Sequence, residues 1–248
     1  MATEASSLHL QHAFSDPDNV ARYADGPRRF VPGLADLHRM TGVLLAERAP
    51  ANARVLVLGA GGGMELKVLA ETHPGWSFVG VDPSQAMLDL AERSLGPLMA
   101  RVELIRGYIQ DAPAGPFDGA TCLLTLHFLD APERQRTAGE IRRRLKPGAP
   151  FVAAHSSFPQ GADERGTWLS RYAAFAVASG VDPVQAGQAR AAVAAHLPVF
   201  SPERDEAILR EAGFPDVSLF FAAFTWRGWI AHAGPAAGWT GTPARPGR

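Results

Sequence analysis

The stretch RVLVLGAGGGMELKVLAETHPGWSFVGVD, residues 54–82, decides the fold of this chain. It begins with an apolar, β-branched run over residues 55–58, which is typical of a strand buried in a parallel sheet. Four glycines follow within residues 59–63, and glycine lets a backbone turn sharply and approach a ligand closely. Helical spacing over residues 65–72 and a second apolar run over residues 76–81 complete the pattern. The stretch therefore predicts a strand, a glycine-rich loop, a helix and a parallel strand.

Asp82 ends this stretch and is its main candidate for ligand binding. The carboxyl ends of parallel strands lie on one edge of a sheet, and a carboxylate there can accept hydrogen bonds from both hydroxyls of a ribose. An acid at this position is also favoured by the dipole of a following helix. Because a glycine loop precedes Asp82, we favour ribose binding, and the stretch predicts a bound nucleoside.

The composition limits the classes of function. The 248 residues, 46% of them hydrophobic, suit one α/β domain with added segments. The net charge of −1 gives no overall field that would attract nucleic acid or a membrane surface. The one cysteine, Cys122, cannot form an internal disulfide or a metal cluster. The N-terminus has no basic segment before an apolar one, and no apolar run could span a bilayer. We therefore predict a cytoplasmic enzyme without a metal.

Apolar periodicity continues the α/β pattern beyond Asp82. Strands are predicted over 54–59, 76–82, 101–106, 117–124 and 149–155, and helices over 63–73, 84–95 and 131–145. Beyond residue 155 the chain is expected to be helical over 163–197, with a break near Gly180 and Pro183, and again over 201–212. Two strands follow over 216–222 and 224–232, and the short gap between them predicts an antiparallel hairpin.

We expect a single domain over residues 1–248. Its parts are a helical cap over 1–50, a cofactor-binding core over 51–160, a helical lid over 161–200, a terminal helix and hairpin over 201–232 and a flexible tail over 233–248. Trp226 and Trp229 lie among apolar residues of the last strand. They predict core packing or a subunit interface, and the interface alternative would make the protein a homodimer.

The glycine loop distinguishes between nucleoside cofactors. A dinucleotide-binding loop needs glycine or alanine where this chain has Met64, and a phosphate-binding loop needs a lysine that is missing here. S-adenosylmethionine needs neither residue, because it has no phosphate. It needs space for its amino-acid end, a carboxylate for its ribose and an apolar slot for its adenine. Candidates for these roles are Gly59, Ala60 and Gly61 in the loop, then Asp82, then Pro83 with Met87.

Five segments, taken in order, resemble those of the class I S-adenosylmethionine-dependent methyltransferases. They are LGAGGG (58–63), VGVDPS (79–84), RGYIQDAP (106–113), FDGATCLLTLHFL (117–129) and LKPGAPF (145–151). The resemblance implies an α/β fold with a Rossmann-like, seven-stranded, mostly parallel sheet that ends in an antiparallel hairpin. It also implies methyl transfer from S-adenosylmethionine, with S-adenosylhomocysteine as the product, to an acceptor that we expect to be a small molecule.

The same resemblance suggests roles for four further residues. Tyr108 and Ile109 stand where the family holds the adenine, although a half-buried loop tyrosine is the alternative. His127 follows the fourth strand and His155 ends the fifth, both near the expected methyl group. Either imidazole could act as a general base because it titrates near neutral pH, and either could merely bind loop carbonyls.

The chain also resembles the carboxy-S-adenosylmethionine synthase branch of this superfamily. The similar elements are RFVPG over residues 29–33, His127-Phe128-Leu129 and Gln188-Ala189-Arg190. This resemblance implies that Arg29 contacts the cofactor and that Arg190 binds substrate.

Three positions that touch the cofactor in that branch have different residues here, namely Leu34, Tyr108 and Leu123, and of these we still expect Tyr108 and Leu123 to contact the cofactor. We therefore favour methyl transfer. The alternatives are synthesis of a carboxylated cofactor, methylation of tRNA and a non-catalytic cofactor-binding role. The basic residues of the helix over 131–145 are spread around it, so they predict a solvated face and argue against nucleic acid as a partner.

Overall fold

Seven strands form one mixed sheet in the computed structural model, which describes residues 26–234. The strands are β1 (Arg54–Leu58), β2 (Ser77–Asp82), β3 (Val102–Arg106), β4 (Gly119–Leu123), β5 (Pro150–Ser156), β6 (Ser218–Ala223) and β7 (Trp226–His232). Their order across the sheet is β3-β2-β1-β4-β5-β7-β6. Neighbours from β3 to β5 pair in parallel, whereas β7 runs antiparallel to β5 and β6. The predicted fold class is confirmed.

Eight α-helices accompany the sheet within residues 26–234. They are α1 (Gly26–Phe30), α2 (Leu34–Ala46), α3 (Met64–Thr72), α4 (Gln85–Leu95), α5 (Ala131–Arg144), α6 (Ala162–Ala178), α7 (Pro183–His196) and α8 (Pro202–Glu211). The predicted helical region 163–197 is two helices, because the chain turns at Gly180, whose φ is +87°. The first half of the predicted cap and nearly all of the predicted tail lie outside the described residues.

The strand order reverses between β1 and β4, and this reversal locates the ligand-binding edge. Connections leave the two strands in opposite directions, so a crevice opens beyond their carboxyl ends, where open α/β sheets bind ligands. The register places Val57 of β1 opposite Thr121 of β4. The glycine loop follows β1 directly, and it therefore lies at this crevice.

Strand β1 is apolar at every position from 55 to 58 because both of its faces are covered. Val55 and Val57 pack in one core with α2 and α3, while Leu56 and Leu58 pack in the other with α5 and α8. Successive side chains of a strand point to opposite faces, so two apolar layers require an unbroken apolar run. The position of the glycine loop is thereby fixed from both sides of the sheet.

The terminal hairpin has only Phe224 and Thr225 between its strands. Phe224 has a φ of +50°, as the first residue of a two-residue hairpin loop requires. Trp226 and Trp229 follow on β7 and are buried in the two cores. The core packing that we predicted for them is confirmed.

A buried ion pair anchors one end of the helix pair α6 and α7, the segment that we predicted to be a lid. The guanidinium of Arg134 on α5 bonds the carboxylate of Asp205 on α8, and both side chains are at most 1% exposed. Arg134 Nη2 also donates to the carbonyl oxygens of Leu129 (3.2 Å) and Pro198 (3.0 Å). Pro198 lies in the connection from α7 to α8. The ion pair thus fastens one end of the lid to the turn after β4.

Replacing Arg134 by methionine should strongly destabilise the fold. Asp205 would be left as a buried carboxylate without its cation, which costs roughly 3–5 kcal/mol. We expect a loss of that size in the free energy of unfolding, measured by urea denaturation, and a partial recovery in the double variant Arg134→Met/Asp205→Leu. Arg204→Met, which breaks an exposed pair with Glu211, is the control. If Arg134→Met costs no more than this control, the buried pair does not anchor the lid.

Candidate cofactor site

The glycine loop after β1 depends on backbone conformations that side chains disfavour. Gly59, Gly61 and Gly63 have φ values of +77°, +49° and +79°, in the left-handed region that glycine adopts without strain. A Cβ atom on Gly59 would lie 2.0 Å from Oγ1 of Thr125, in the turn after β4. Only glycine at this position lets the loops after β1 and β4 meet across the crevice.

Asp82 ties this loop to the next helix. Its Oδ2 accepts a hydrogen bond from the backbone N–H of Gly61, and its Oδ1 accepts one from Ser84, both at 2.9 Å. Ser84 in turn caps α4, because its Oγ accepts from the N–H of Met87 at 3.3 Å. A carboxylate has about four acceptor positions, so both oxygens of Asp82 can still receive ribose hydroxyls.

The electrostatics of Asp82 reflect two opposing effects. Burial raises the pKa of its carboxyl group, and the hydrogen bonds from Ser84 and Gly61 lower it. The net shift is upward. A ligand hydroxyl that donates to the ionised carboxylate would also lower the pKa of Asp82, as these backbone donors do.

The residues predicted to hold the adenine lie beside Asp82. Arg106 at the end of β3 pairs with Asp82, and the N–H of Gly107 donates to its carbonyl oxygen at 3.1 Å. Tyr108 and Ile109 follow at once, and the N–H of Tyr108 donates to Oδ2 of Asp111 at 2.8 Å. Ile109 is buried, whereas Tyr108 is 46% exposed. This loop can therefore offer an apolar wall and an open aromatic ring at one place.

The other predicted adenine contacts come from the start of α4. Met87 is buried and Pro83 is exposed. Because Ser84 is held by Asp82, both residues stand next to the ribose-binding carboxylate. The described residues thus fit S-adenosylmethionine: a loop without Cβ atoms at its tightest contact, a carboxylate with spare acceptor positions, and apolar surface beside it.

A match to known proteins agrees with this geometry. Residues 55–148 match the family model described as a methyltransferase domain, which spans β1, the glycine loop, Asp82 and β4. The match covers less than half of the chain, and it shows that residues 55–148 are similar to the methyltransferase domains of the class I S-adenosylmethionine-dependent superfamily. S-adenosylmethionine is the cofactor that this similarity and the geometry of the site support.

The chain is also similar to individual proteins over most of its length. The carboxy-S-adenosyl-L-methionine synthase of Klebsiella pneumoniae (strain 342) is 27% identical over 213 residues, covering 84% of this chain and 86% of the relative.

Two solved structures show the same fold. Human N-acetylserotonin methyltransferase gives a TM-score of 0.61 at 14% identity, covering 91% of this chain and 59% of that one. An O-methyltransferase family protein from Burkholderia thailandensis gives 0.60 at 17% identity, covering 82% and 57%. This chain spans less than two thirds of either structure.

The methyltransferase core continues past β4 through a strained turn. Leu123, predicted to contact the cofactor, is the buried last residue of the strand. Leu124 has a φ of +54°, which is uncommon for a residue with a branched side chain. Its N–H donates to Ala154 on β5 at 2.6 Å, and Thr125 Oγ1 donates to the carbonyl oxygen of Leu123 at 2.9 Å. Such backbone strain is concentrated at functional sites.

His127 follows this turn, and its hydrogen bond bears on the predicted role as a base. The backbone N–H of Ser156 donates to Nδ1 of His127 at 3.4 Å, so the proton of the neutral ring belongs on Nε2. Burial, followed by the charges of His155 and Arg134, holds the pKa of His127 well below its usual value. A neutral ring with a proton on Nε2 can donate there but cannot accept. The geometry favours a donor over a general base, and catalysis by His127 stays a prediction.

His155 is the last residue but one of β5, and its side chain faces the core layer of Trp229, α5 and α8. Its Nε2 lies 3.2 Å from Oδ2 of Asp205, its ring lies 5.1 Å from that of Trp229, and its side chain is 1% exposed. Burial lowers the pKa of His155, and the nearby Asp205 carboxylate opposes this shift. This position supports a structural role beside the buried ion pair. Direct action of His155 on a substrate would require the core to open, and it remains an untested prediction.

The two predicted arginines lie on the surface. Arg29 is exposed on α1. Arg190 is exposed on α7, and its Nη1 donates to Oγ of Ser170 on α6 at 3.4 Å. Arg190 therefore joins the two lid helices to each other. Cofactor contact by Arg29 and substrate binding by Arg190 stay predictions.

Metal-ligand clusters and membrane-spanning helices are both absent from residues 26–234. Residues 26–234 contain no group of three or more His, Cys, Asp or Glu side chains arranged to hold a metal ion. No helix in the same range is both long and apolar enough to cross a bilayer.

Glu65 is a buried acid that sequence reasoning missed. It lies in the first turn of α3 and is 6% exposed, beside Thr121 of β4. Burial raises the pKa of Glu65 to about 7, and the Thr121 hydroxyl partly offsets this effect. The sequence did carry a signal, because Glu65 and Leu69 are four residues apart and share the buried face of the helix.

Glu65 should make the stability of the protein depend on pH. Because the folded pKa is raised, folding keeps a proton that the unfolded chain releases, so stability falls as pH rises from the unfolded pKa toward about 7. The loss between about pH 5 and pH 8 is about 2.5 kcal/mol. Glu65→Gln should remove it, measured by urea denaturation at both pH values, while the exposed Glu71→Gln should not. Equal pH slopes for wild type and Glu65→Gln would contradict this assignment.

Proposed function

We propose that this methyltransferase moves the methyl group of S-adenosylmethionine to a small-molecule acceptor at the crevice between β1 and β4. The observation that carries the proposal is the Asp82 carboxylate, which holds both the glycine loop and the start of α4 by 2.9 Å hydrogen bonds. This arrangement places a carboxylate beside the glycine loop at one edge of the sheet, where a nucleoside with an amino-acid substituent can bind. A cytoplasmic location and a homodimer remain part of the proposal and rest on the sequence alone.

Each part of the cofactor has a candidate partner in the chain. Gly59, Ala60 and Gly61 would lie along the amino-acid end, and Asp82 would accept the ribose hydroxyls. Ile109 and Met87 would line the adenine, with the exposed ring of Tyr108 at its edge. When bound, the sulfonium supplies an activated methyl group, so the task of the chain is to hold donor and acceptor in line.

The cover over the sheet edge favours a small acceptor. Ser156 at the end of β5 pairs with Trp226 at the start of β7, so the hairpin turn lies at the carboxyl edge. Trp226 Nε1 donates to the carbonyl oxygen of Phe30 on α1 at 2.9 Å, and the Phe30 ring lies 5.3 Å from Tyr172 on α6. Helices α1 and α6 thus form a roof tied to the sheet. A roofed edge with a net charge of −1 suits a small molecule better than a nucleic acid.

The residues near the expected methyl group suggest positioning with little acid–base chemistry. His127 presents a donor at Nε2, which could orient an acceptor oxygen or nitrogen. Holding two reactants close and aligned supplies a large part of many rate enhancements. An acceptor that is already nucleophilic would then need no protein base.

Synthesis of a carboxylated cofactor is the second candidate, because the relative from Klebsiella pneumoniae bears that name at 27% identity over 84% of this chain. Against it stand Leu34, Tyr108 and Leu123, where that branch has a tyrosine, an acid and an asparagine. The location of Arg190 adds to this, since its guanidinium bonds Ser170 on the lid surface.

Calorimetric titration with S-adenosylhomocysteine tests cofactor binding. We expect Asp82→Asn to weaken affinity by roughly tenfold or more, since a hydrogen bond to a charged group contributes about 1.5–3 kcal/mol. The exposed Asp89→Asn on α4 is the control. Removing the ribose 2′-hydroxyl from the ligand should cost wild type more than Asp82→Asn. Absence of binding by the folded wild type, or an Asp82→Asn affinity equal to wild type, would refute the proposed cofactor site.

Mass spectrometry of the nucleoside that accompanies the purified protein separates the two candidates. Methyl transfer predicts S-adenosylmethionine or S-adenosylhomocysteine as that ligand. A mass that exceeds S-adenosylmethionine by one CO2 unit would instead favour the carboxylated cofactor. The same measurement on Asp82→Asn controls for nucleosides bound elsewhere, because its yield of ligand should fall.

A further inference from the structure

A buried polar pair spans the crevice beneath the glycine loop. Glu65 follows the loop on α3, on the β1 side, and Thr121 lies on β4 opposite Val57 of β1. Glu65 is 6% exposed and Thr121 is fully buried. The pair therefore lies between β4 and the helix that follows β1. The strand order reverses between β1 and β4, and this class of sheet binds its ligands near such a reversal.

Both side chains have an unsatisfied polar atom. Oε1 of Glu65 and Oγ1 of Thr121 are buried and have no hydrogen-bond partner. Thr121 lies near enough to influence the carboxyl group, yet the two atoms do not form a hydrogen bond of normal geometry. Buried polar groups in native proteins nearly always have hydrogen-bond partners, so two unpartnered buried oxygens point to a bound ligand as the missing partner.

The negative charge of an ionised Glu65 carboxyl group decides which part of the cofactor could contact it. An ionised carboxyl group attracts a cation and repels an anion, so it fits the ammonium of the amino-acid moiety and not its carboxylate. The adenine and ribose belong with Asp82 and Ile109, on the other side of the loop near β2 and β3. Glu65 is two residues beyond Gly63, on the side that faces β4, where the amino-acid end is expected.

We propose that the Glu65 carboxylate, beside Thr121, recognises the α-ammonium group of the cofactor's amino-acid moiety. The inference rests on the proposed function, because it assigns a contact within that cofactor site. Glu65 is a specificity-determining residue in this assignment. It makes the site select ligands with a cationic group at that end of the molecule.

A thermodynamic cycle on ligand and protein tests the contact. The ligands are S-adenosylhomocysteine and the analogue in which hydrogen replaces its α-amino group, and the proteins are wild type, Glu65→Gln and Glu71→Gln. Wild type should bind S-adenosylhomocysteine roughly tenfold or more tightly than the analogue, as expected for a charge-assisted hydrogen bond. Glu65→Gln should reduce that ratio to about threefold or less, and Glu71→Gln, exposed on the same helix, should keep it.

The outcomes are distinguishable. An unchanged ratio in folded Glu65→Gln overturns the inference and leaves Glu65 as a structural acid. Equal affinity of wild type for both ligands also overturns it, while the proposed function stands. If wild type binds neither ligand, the proposed function itself fails. Should Glu65→Gln not fold, Glu65→Asp replaces it, since the charge is kept but withdrawn by one methylene, and there too an unchanged ratio overturns the contact.

Discussion

The Asp82 carboxylate is the constraint on which the cofactor site depends. Its two oxygens hold the backbone of the glycine loop after β1 and the first turn of α4 after β2. Burial opposes a charge at this position, and the two backbone donors offset that penalty. Because the same oxygens point to the crevice edge, the group that organises the protein is also the group placed to meet the ribose.

The polar residues near this edge form two groups, one beside the glycine loop and one in the core around the buried ion pair. Asp82 at the end of β2 and Glu65 at the start of α3 both lie beside the glycine loop. His155 extends instead from β5 toward α5 and α8, where it joins the ion pair of Arg134 with Asp205. That second cluster supports the connection from the lid back to the core. An imidazole at a strand end can therefore be structural even when the strand end borders a reaction site.

The donor and acceptor halves of the site are built from different kinds of structure. The donor half uses strand ends and a glycine loop, whose geometry is fixed by the sheet. The proposed acceptor half uses α1, α6 and the hairpin turn, which are joined by aromatic rings and by the hydrogen bond from Trp226 to Phe30. Changes at Leu34 or in the lid could alter the reaction while the donor half stays the same, which is how one fold supports several activities. The 27% identity to a carboxy-S-adenosyl-L-methionine synthase therefore reflects a shared fold, on which either reaction can be built.

By itself the sequence determined the strands, the glycine loop, the position of Asp82 and hence the fold and the cofactor class. These features follow from local periodicity and from residues adjacent in the chain, so they can be recognised without coordinates. Only the tertiary structure decided that Ser156 sets the proton of His127 on Nε2, that His155 faces Asp205, that Arg190 bonds Ser170 and that Glu65 meets Thr121. Each of these depends on a partner more than fifteen residues away, and burial, which shifts the pKa values, exists only once distant elements pack together.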